Sequence, residues 1–470
     1  MGTVVLTAAD IAAAAGGRVT AGDPAALVGP IAIDTRALKA GDFFVAIKGE
    51  RFDGHAFIGD ALARGAAGVM IHGAAALVPK AEVPTSPVVV SVGETTRALQ
   101  DVAREVRRRS GARVVAITGS AGKTTTKEIA AAILEARYRV FRNKGNLNNH
   151  IGLPLSLIEL RQGPEIAVVE LGMNHPGEIR TLVGIAEPEV RVWTNVGDAH
   201  LGYFESPDAI AEAKAEIMEH ARPTDLLVAN ANDPRVASRA EWFVGRVRTF
   251  GIDVPADVTA TRVEHRGLDG ISAELHTPLG DAPLRTPLLG LGNLANVLAA
   301  AAVAVEFEIP VSQIVERAAA LRPATHRGEL TRLPGGITLI DDSYNSSPAA
   351  LRQALATIGA ARGCARRVAI LGEMLELGAH ASRLHEESGR AAANAGLDVL
   401  ITVGGAPAGV LASAAIASGM APTSVTHVRT REEAAALALE RIRPGDLVLV
   451  KGSRGIGTDL VVDRLKAEFA

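Results

Sequence analysis

The sequence predicts an α/β chain of three domains: a central P-loop parallel-sheet domain, a small α/β domain before it and a C-terminal Rossmann-like domain after it. Three observations carry this. A glycine-rich loop, Gly119-Ser120-Ala121-Gly122-Lys123-Thr124-Thr125-Thr126, lies between an apolar run and a helix-like run. Short apolar runs alternate with alanine-rich stretches along the chain, the order that yields parallel strands with crossover helices. The rhythm then restarts near residue 326, as a second doubly wound domain would.

The first segment, 1–108, carries strand-like runs at 41–47, 68–71 and 88–92 and a helical stretch at 55–64. The second, 109–325, opens with RVVAIT (113–118) as a buried strand and 124–134 as a helix, and continues with buried runs at 166–171 and 190–196. The third, 326–470, places strands at 337–341, 367–371, 399–403 and 447–451, with a packed helix at 431–441. No repeat of solenoid period interrupts this order.

A chain of 470 residues, 48% of them apolar, has room for several proper cores. The net charge of −3 and the lack of basic runs beyond Arg107-Arg108-Arg109 argue against a polyanion-coating role. That triplet reads as a solvated helix end. A single cysteine, Cys364, permits no internal disulfide, which fits a reducing compartment. The N-terminus lacks a basic leader and no apolar run is long enough to span a bilayer, so the expectation is a soluble, cytoplasmic protein.

The loop at 119–126 implies a nucleoside triphosphate. Backbone N–H groups and the positive end of the following helix suit phosphate oxygens, Lys123 supplies a point charge, and the hydroxyl of Thr124 or Thr125 suits magnesium. The usual pattern has four residues between its first glycine and the Gly-Lys pair; here only Ser120 and Ala121 intervene, so the loop is a shortened variant.

Ligands of open parallel sheets collect beyond the carboxyl ends of the strands. Glu170 stands at such an end, and Asp198 and His200 follow Thr194-Asn195-Val196-Gly197 in the same way. Carboxylate and imidazole beside a phosphate loop suit magnesium chemistry. Lys214, among glutamates in a helical stretch, reads from its neighbours as an exposed lysine. The amide-rich loop 143–154, with Asn146, Asn148, Asn149 and His150, can bind an anion or a peptide-like ligand, or be only a polar loop. Asn293 and Asn296 open a helix, as caps or as base contacts. Arg327, at the expected junction of the second and third domains, can neutralise a transferring phosphoryl group or form an interdomain ion pair. Asp342 and Asn345 follow a buried strand.

The ordered segments TGSAGKTTTKE, NLNNHIGLPLSL, VVELGMNHPGEI, NVGDAHLGYF, EAKAEI, LIDDSYNSSP and LGEMLELG resemble those of the Mur ligases, and Asp34-Thr35-Arg36 and Asp53-Gly54-His55 resemble the uridine-nucleotide-binding domain of that family. The resemblance implies an ATP- and magnesium-dependent amide-forming ligase of peptidoglycan synthesis. Its first domain would bind a UDP-sugar peptide and its third would bring the amine. By motif, Gly119 to Thr125 with Lys123 match the ATP phosphate loop, Arg327 the arginine facing the outer phosphate, and Asn293, Asn296, Asp342 and Asn345 positions near the nucleotide. Thr35, Arg36, Asn146, Asn148, Asn149 and His150 match the uridine-nucleotide substrate side. Thr124, Glu170, His200 and Lys214 match the metal site. The lysine equivalent to Lys214 is typically carbamylated in the family, which reverses the reading drawn from its neighbours.

LGEMLELG with DDSYNSSP resembles the member that joins UDP-N-acetylmuramoyl-tripeptide to D-alanyl-D-alanine. The sister enzyme that adds the third amino acid is the alternative, and no DNPR-like segment supports it. A P-loop NTPase switch is the alternative from another class. The chain departs from the family pattern at Gly292, where many relatives have histidine, at Glu373, where aspartate is common, and at Ser346-Ser347 in place of Ala-Asn.

Overall fold

The computed structural model describes residues 2–49, 52–73, 87–198 and 201–469. Among them the chain forms three sheets flanked by helices, giving three α/β domains. It also divides into two compact units, residues 1–116 with 138–173 and 177–190, and residues 117–137 with 174–176 and 191–470.

The first unit holds a five-stranded sheet in the order Arg18–Ala21, Val88–Val92, Gly68–His72, Phe43–Val45, Ile31–Ala32. All neighbours are parallel except Arg18–Ala21, which runs antiparallel to Val88–Val92. Phe44, Ile58, Leu62, Val69, Ile71 and Val89 form its core. The run expected as one helix at 55–64 is a 3-10 turn, Gly54–Phe57, started by an Asp53 side chain that accepts from the His55 N–H, followed by the helix Ile58–Ala63.

Thr95–Ser110 is an amphipathic helix capped by Glu94 and stopped by Gly111 in the left-handed region (φ 65°). Its basic last turn is not the solvated end that the triplet suggested. Arg107 is buried, donates to the carbonyls of Ala186 and Glu187 and pairs with Glu189, while Arg108 pairs with Glu187. Cations at a helix C-terminus also suit the macrodipole.

The middle of the chain builds a nine-stranded sheet in the order Gly280–Thr286, Ile271–Thr277, Val258–His265, Arg246–Ile252, Leu226–Asn230, Val190–Trp193, Arg113–Thr118, Ile166–Glu170, Val140–Arg142. Arg113–Thr118 and Val190–Trp193 each run through both units, the first unit keeping the last two strands and the second unit the first five. Arg113–Thr118 matches the expected strand, and it is buried except at its first residue because both faces of a parallel strand are covered. The strand expected at 190–196 ends at Trp193. The antiparallel strands from 258 to 286 were not anticipated.

The second unit also contains a six-stranded sheet in the order Glu329–Leu333, Ile337–Asp342, Asp446–Lys451, Arg366–Gly372, Val399–Val403, Val425–Val428. It is parallel apart from the first pair, as the Rossmann-like expectation requires. Strand Asp446–Lys451 inserts between two earlier strands, so loops from distant parts of the chain meet at the carboxyl edge. Among the described residues no helix is long and apolar enough to cross a membrane.

One buried ion pair braces the second unit. Arg191 and Asp225 are 1% and 2% exposed and 2.8 Å apart, and Arg191 Nε also donates to the Ile217 carbonyl. Removing Arg191 takes away the buried partner of Asp225 and leaves the carboxylate only the exposed Arg222 (3.1 Å), at a cost of about 3 kcal/mol, the low end for a broken buried pair. Arg191→Ala should lower the stability of this unit by that order in urea unfolding followed by tryptophan fluorescence. Both tryptophans, Trp193 and Trp242, lie in it. A loss under about 1 kcal/mol would show that the pair carries little of the unit's stability.

Candidate active site

The phosphate loop leaves strand Arg113–Thr118 and enters helix Lys123–Leu134. Gly122 occupies the N-cap with φ 82°, and no side chain caps the helix, so its first-turn N–H groups face the loop's concavity. Two positions have no room for a side chain. A Cβ at Gly119 (φ 151°) would lie 1.9 Å from Thr194 Oγ1, and one at Gly122 would lie 2.3 Å from Asn296 Oδ1.

Residues Thr194 to Gly197 back the loop. Asn195 Oδ1 accepts from the Ala121 N–H (2.9 Å), Asn195 Nδ2 and Thr194 Oγ1 donate to the Ala121 carbonyl (3.1 and 2.7 Å), and the Ser120 N–H donates to the Asn195 carbonyl (3.0 Å). Ser120 Oγ accepts from the Gly197 N–H (2.9 Å). Asn230 and Asp233 hold this backing segment in turn, through the Thr194 carbonyl and the Val196 N–H. The expected strand ends at Trp193, and beyond it Thr194, Asn195 and Gly197 turn polar groups to the loop. Lys123 Nζ donates to the Gly119 carbonyl (2.8 Å), folded over the concavity. Rigid backbone donors, two obligatory glycines and a lysine fit a chain of phosphates.

Arg327 reaches this loop. Its Nη2 donates to Thr124 Oγ1 (3.2 Å), and its guanidinium lies 4.1 Å from the centre of the Tyr344 ring. Its backbone neighbours are fixed: the Gly328 N–H donates to the Asp341 carbonyl and the Tyr344 N–H to the His326 carbonyl. His326, at φ 60°, pairs its Nδ1 with the fully buried Asp341 carboxylate (2.8 Å). Asp342 and Asn345 are drawn together by Lys451, which pairs with the Asp342 carboxylate (2.6 Å) and donates to the Asn345 carbonyl (3.0 Å). Sequence reasoning missed Lys451. A lysine closing an otherwise apolar strand was the available signal.

Asn293 and Asn296 do not cap their helix. Leu291–Glu306 has Gly290 at its N-cap, and Asn293 donates back to the Leu289 carbonyl (2.8 Å). Asn296 accepts from Thr126 Oγ1 (3.2 Å) and donates to Asn293 Oδ1 (3.3 Å), which ties the helix to the phosphate loop.

Glu170, Asn146, Asn148, Asn149, His150, Thr35 and Arg36 lie in the first unit and are arranged as follows. Glu170, 4% exposed, accepts from Asn148 Nδ2 (2.8 Å), and its N–H donates to Asn143 Oδ1 (3.1 Å). Asn149 Oδ1 receives the N–H groups of Ile151 and Gly152, the Asn146 carbonyl receives the Asn148 N–H, and the His150 carbonyl receives Gln100 Nε2. Asn143, the first residue of the expected loop, and Gln100, not singled out beforehand, therefore shape it. Thr35 is buried, while Arg36 is exposed and holds the Asp34 carboxyl down to about 2 through hydrogen bonds. His200 lies outside the described residues; Asp198 is half-buried after the loop's backing segment.

Three family models match the chain: the Mur ligase family catalytic domain at residues 28–132, the Mur ligase middle domain at 117–304 and the Mur ligase glutamate ligase domain at 326–454. The UDP-N-acetylmuramoyl-tripeptide–D-alanyl-D-alanine ligase of Mycobacterium bovis is 35% identical to it, covering 99% of this chain and 98% of that protein. The chain belongs to the Mur ligase family. Among solved structures of the family, MurF from Acinetobacter baumannii superposes with a TM-score of 0.88 at 31% identity, covering 99% of this chain and all of that one. MurF from Thermotoga maritima, solved in complex with ADP, superposes at 0.80 with 29% identity, covering 93% and 97%.

Lys214, an expected site residue, is the one whose surroundings differ most from those its sequence neighbours suggest. It sits in helix Pro207–Ala215, whose N-cap is Ser206, and is 1% exposed, not the solvated lysine its glutamate neighbours suggested. Burial first, and the Lys123 charge second, push its ammonium well below the ordinary lysine value. The folded state therefore resists protonation that the unfolded chain accepts. The resulting penalty is complete below the folded pKa and vanishes as pH rises to the ordinary value of 10.5. In carbon-dioxide-free buffer, wild-type stability should accordingly climb with pH relative to Lys214→Met between pH 7 and 10. Parallel denaturation curves across that range would contradict a desolvated amine.

Proposed function

We propose that this chain is an ATP-dependent ligase that joins D-alanyl-D-alanine to UDP-N-acetylmuramoyl-tripeptide through an acyl phosphate, in peptidoglycan precursor synthesis. The observation that carries the reading is Arg327 hydrogen-bonded to Thr124 of a phosphate loop that has no room for side chains at Gly119 and Gly122. The likeness to ligases of that specificity over nearly the whole chain supports it.

The chemical problem is repulsion. A carboxylate must approach a triphosphate, and two unit charges about 4 Å apart repel by about 4 kcal/mol at an effective dielectric near 20. In this reading Lys123 and Arg327 supply the opposing charge. A carboxylate oxygen of the tripeptide attacks the γ-phosphorus and ADP leaves. The dipeptide amine then attacks the acyl carbon, and phosphate leaves as the amide forms. Asn293, Asn296, Asp342 and Asn345 lie toward the nucleoside, and Thr35, Arg36 and Asn146 to His150 toward the uridine nucleotide.

Bound magnesium would supply charge to the phosphoryl oxygens. We assign it to Thr124, Glu170, His200 and carbamylated Lys214. Among the described residues no three His, Cys, Asp or Glu side chains form a metal group, and magnesium shared with phosphates needs only one or two protein carboxylates. Carbamylation suits Lys214 chemically. A desolvated amine stays neutral and nucleophilic toward carbon dioxide, and the product is an anion that Lys123 can balance.

We take 1–108 as the UDP-sugar-peptide domain, 109–325 as the ATP domain and 326–470 as the domain for the amine substrate. The family matches at 117–304 and 326–454 support the second and third of these, while the first match, 28–132, runs past residue 108 through the phosphate loop. In this reading the chain works as a cytoplasmic monomer, where reducing conditions suit its single Cys364.

Phosphate release should require the muramoyl tripeptide and D-alanyl-D-alanine together; hydrolysis of ATP alone at the same rate would favour a switch or motor instead. Lys123→Ala should abolish ligation yet keep uridine-nucleotide binding in calorimetry, and loss of both would count against separate sites. Lys214→Ala should be inactive and partly restored by short-chain carboxylates. Absence of rescue would leave the carbamate without support.

A further inference from the structure

The helix Pro348–Ala360 of the C-terminal third lies across the start of helix Leu291–Glu306, and the contact is made where side chains are missing. A Cβ at Gly292 would fall 2.2 Å from Gln353 Oε1 and 3.0 Å from its Nε2; one at Gly290 would fall 3.1 Å from Thr357 Oγ1. Gln353 and Thr357 are four residues apart and share one face of their helix. The Gln353 side chain is thus seated on bare backbone. It is exposed, and among the described residues its amide has no hydrogen-bond partner.

Gly292 and Asn296 are also four residues apart, so they occupy one face of the Leu291–Glu306 helix. Along that face runs a row of amides that starts at the phosphate loop. Asn296 touches Gly122 and Thr126, Asn293 bonds to Asn296, and Gln353 rests on Gly292. A triphosphate held by the loop has to extend its nucleoside along some surface beyond it, and this face offers three side-chain amides in succession.

We propose that Gln353 reads the base of the bound nucleotide. This rests on the nucleotide site described above and goes beyond it, because it assigns base selection to a residue of the C-terminal third. An amide presents one acceptor beside one donor, which matches the amino group and ring nitrogen on an edge of adenine. On the edge that carries N7, hypoxanthine has a carbonyl in place of that amino group and so sets two acceptors, O6 and N7, against the same amide. Gly292 is then part of the device, since its missing side chain is the seat.

The test is nucleotide affinity of the full chain by calorimetry, with ATP and inosine triphosphate as ligands. Wild type should prefer ATP. Gln353→Ala should weaken ATP roughly tenfold, the worth of one paired base edge, and leave inosine triphosphate unmoved. Alanine suits an exposed helix position, so folding is not at risk. Gly292→Ala has no left-handed backbone to strain and should displace only the flexible Gln353 amide, with the same loss of preference. The double variant should be no worse than Gln353→Ala. Equal weakening of both nucleotides, an unchanged ATP affinity, or additive effects in the double variant would each overturn the proposal. Ligation assayed alongside separates the two readings: wild type that prefers ATP in binding but never forms the amide would sink the ligase assignment and uphold this one.

Discussion

Gly119 and Gly122 lie against Thr194 and Asn296 so closely that only hydrogen fits between them. This constraint organises the nucleotide site. It lets the loop's backbone donors converge, and it places the loop between two partners whose own positions must be fixed. Thr194 is fixed by the sheet and by Asn230, and Asn296 by a buried helix that packs under the loop. A concavity made of backbone cannot relax its charge pattern when a ligand arrives, so the cost of orienting the donors is met during folding.

The same economy governs the charged side chains. Lys123 stays near the loop on the Gly119 carbonyl, and Arg327 is held by a ring and by a hydroxyl of the loop itself. Lys214 is buried, where a second ammonium is disfavoured first by burial and then by the Lys123 charge. In the proposed reading that neutral amine takes up carbon dioxide, and the resulting anion relieves the repulsion between the two lysines. The braced ion pair of Arg191 and Asp225 contacts the Ile217 carbonyl, three residues past Lys214, so the helix that carries this amine is anchored at its end.

Much of the site was legible. The phosphate loop, its strand and its helix were readable because a glycine-rich turn between an apolar run and a helical run has few other uses. The place of Glu170 at the carboxyl end of a strand was readable because the apolar run before it has strand length and stops there. Lys214 was misjudged from its neighbours, since a charged helix is exposed on average and only the packed fold says which of its turns faces inward. The strands from 258 to 286 alternate, with Ile271, Ala273 and Leu275 buried between Ser272, Glu274 and His276, and escaped notice because a sheet polar on one face lacks the unbroken apolar run of a buried parallel strand. Arg107 shows the converse, a basic cluster that looks solvent-bound until the carbonyl ends of another helix arrive to receive it.

By itself the sequence determined the α/β class, the triphosphate loop and the family, since these are written in spacing and residue type over short stretches. The tertiary structure alone decided which polar groups meet. Arg327 and Thr124 are 203 residues apart, and Lys451 and Asp342 are 109. Gln353 comes to rest on Gly292 only because one helix crosses another. Such encounters depend on strand order and helix crossing, which no local pattern encodes, so the partners of a side chain become known only when the chain has closed around them.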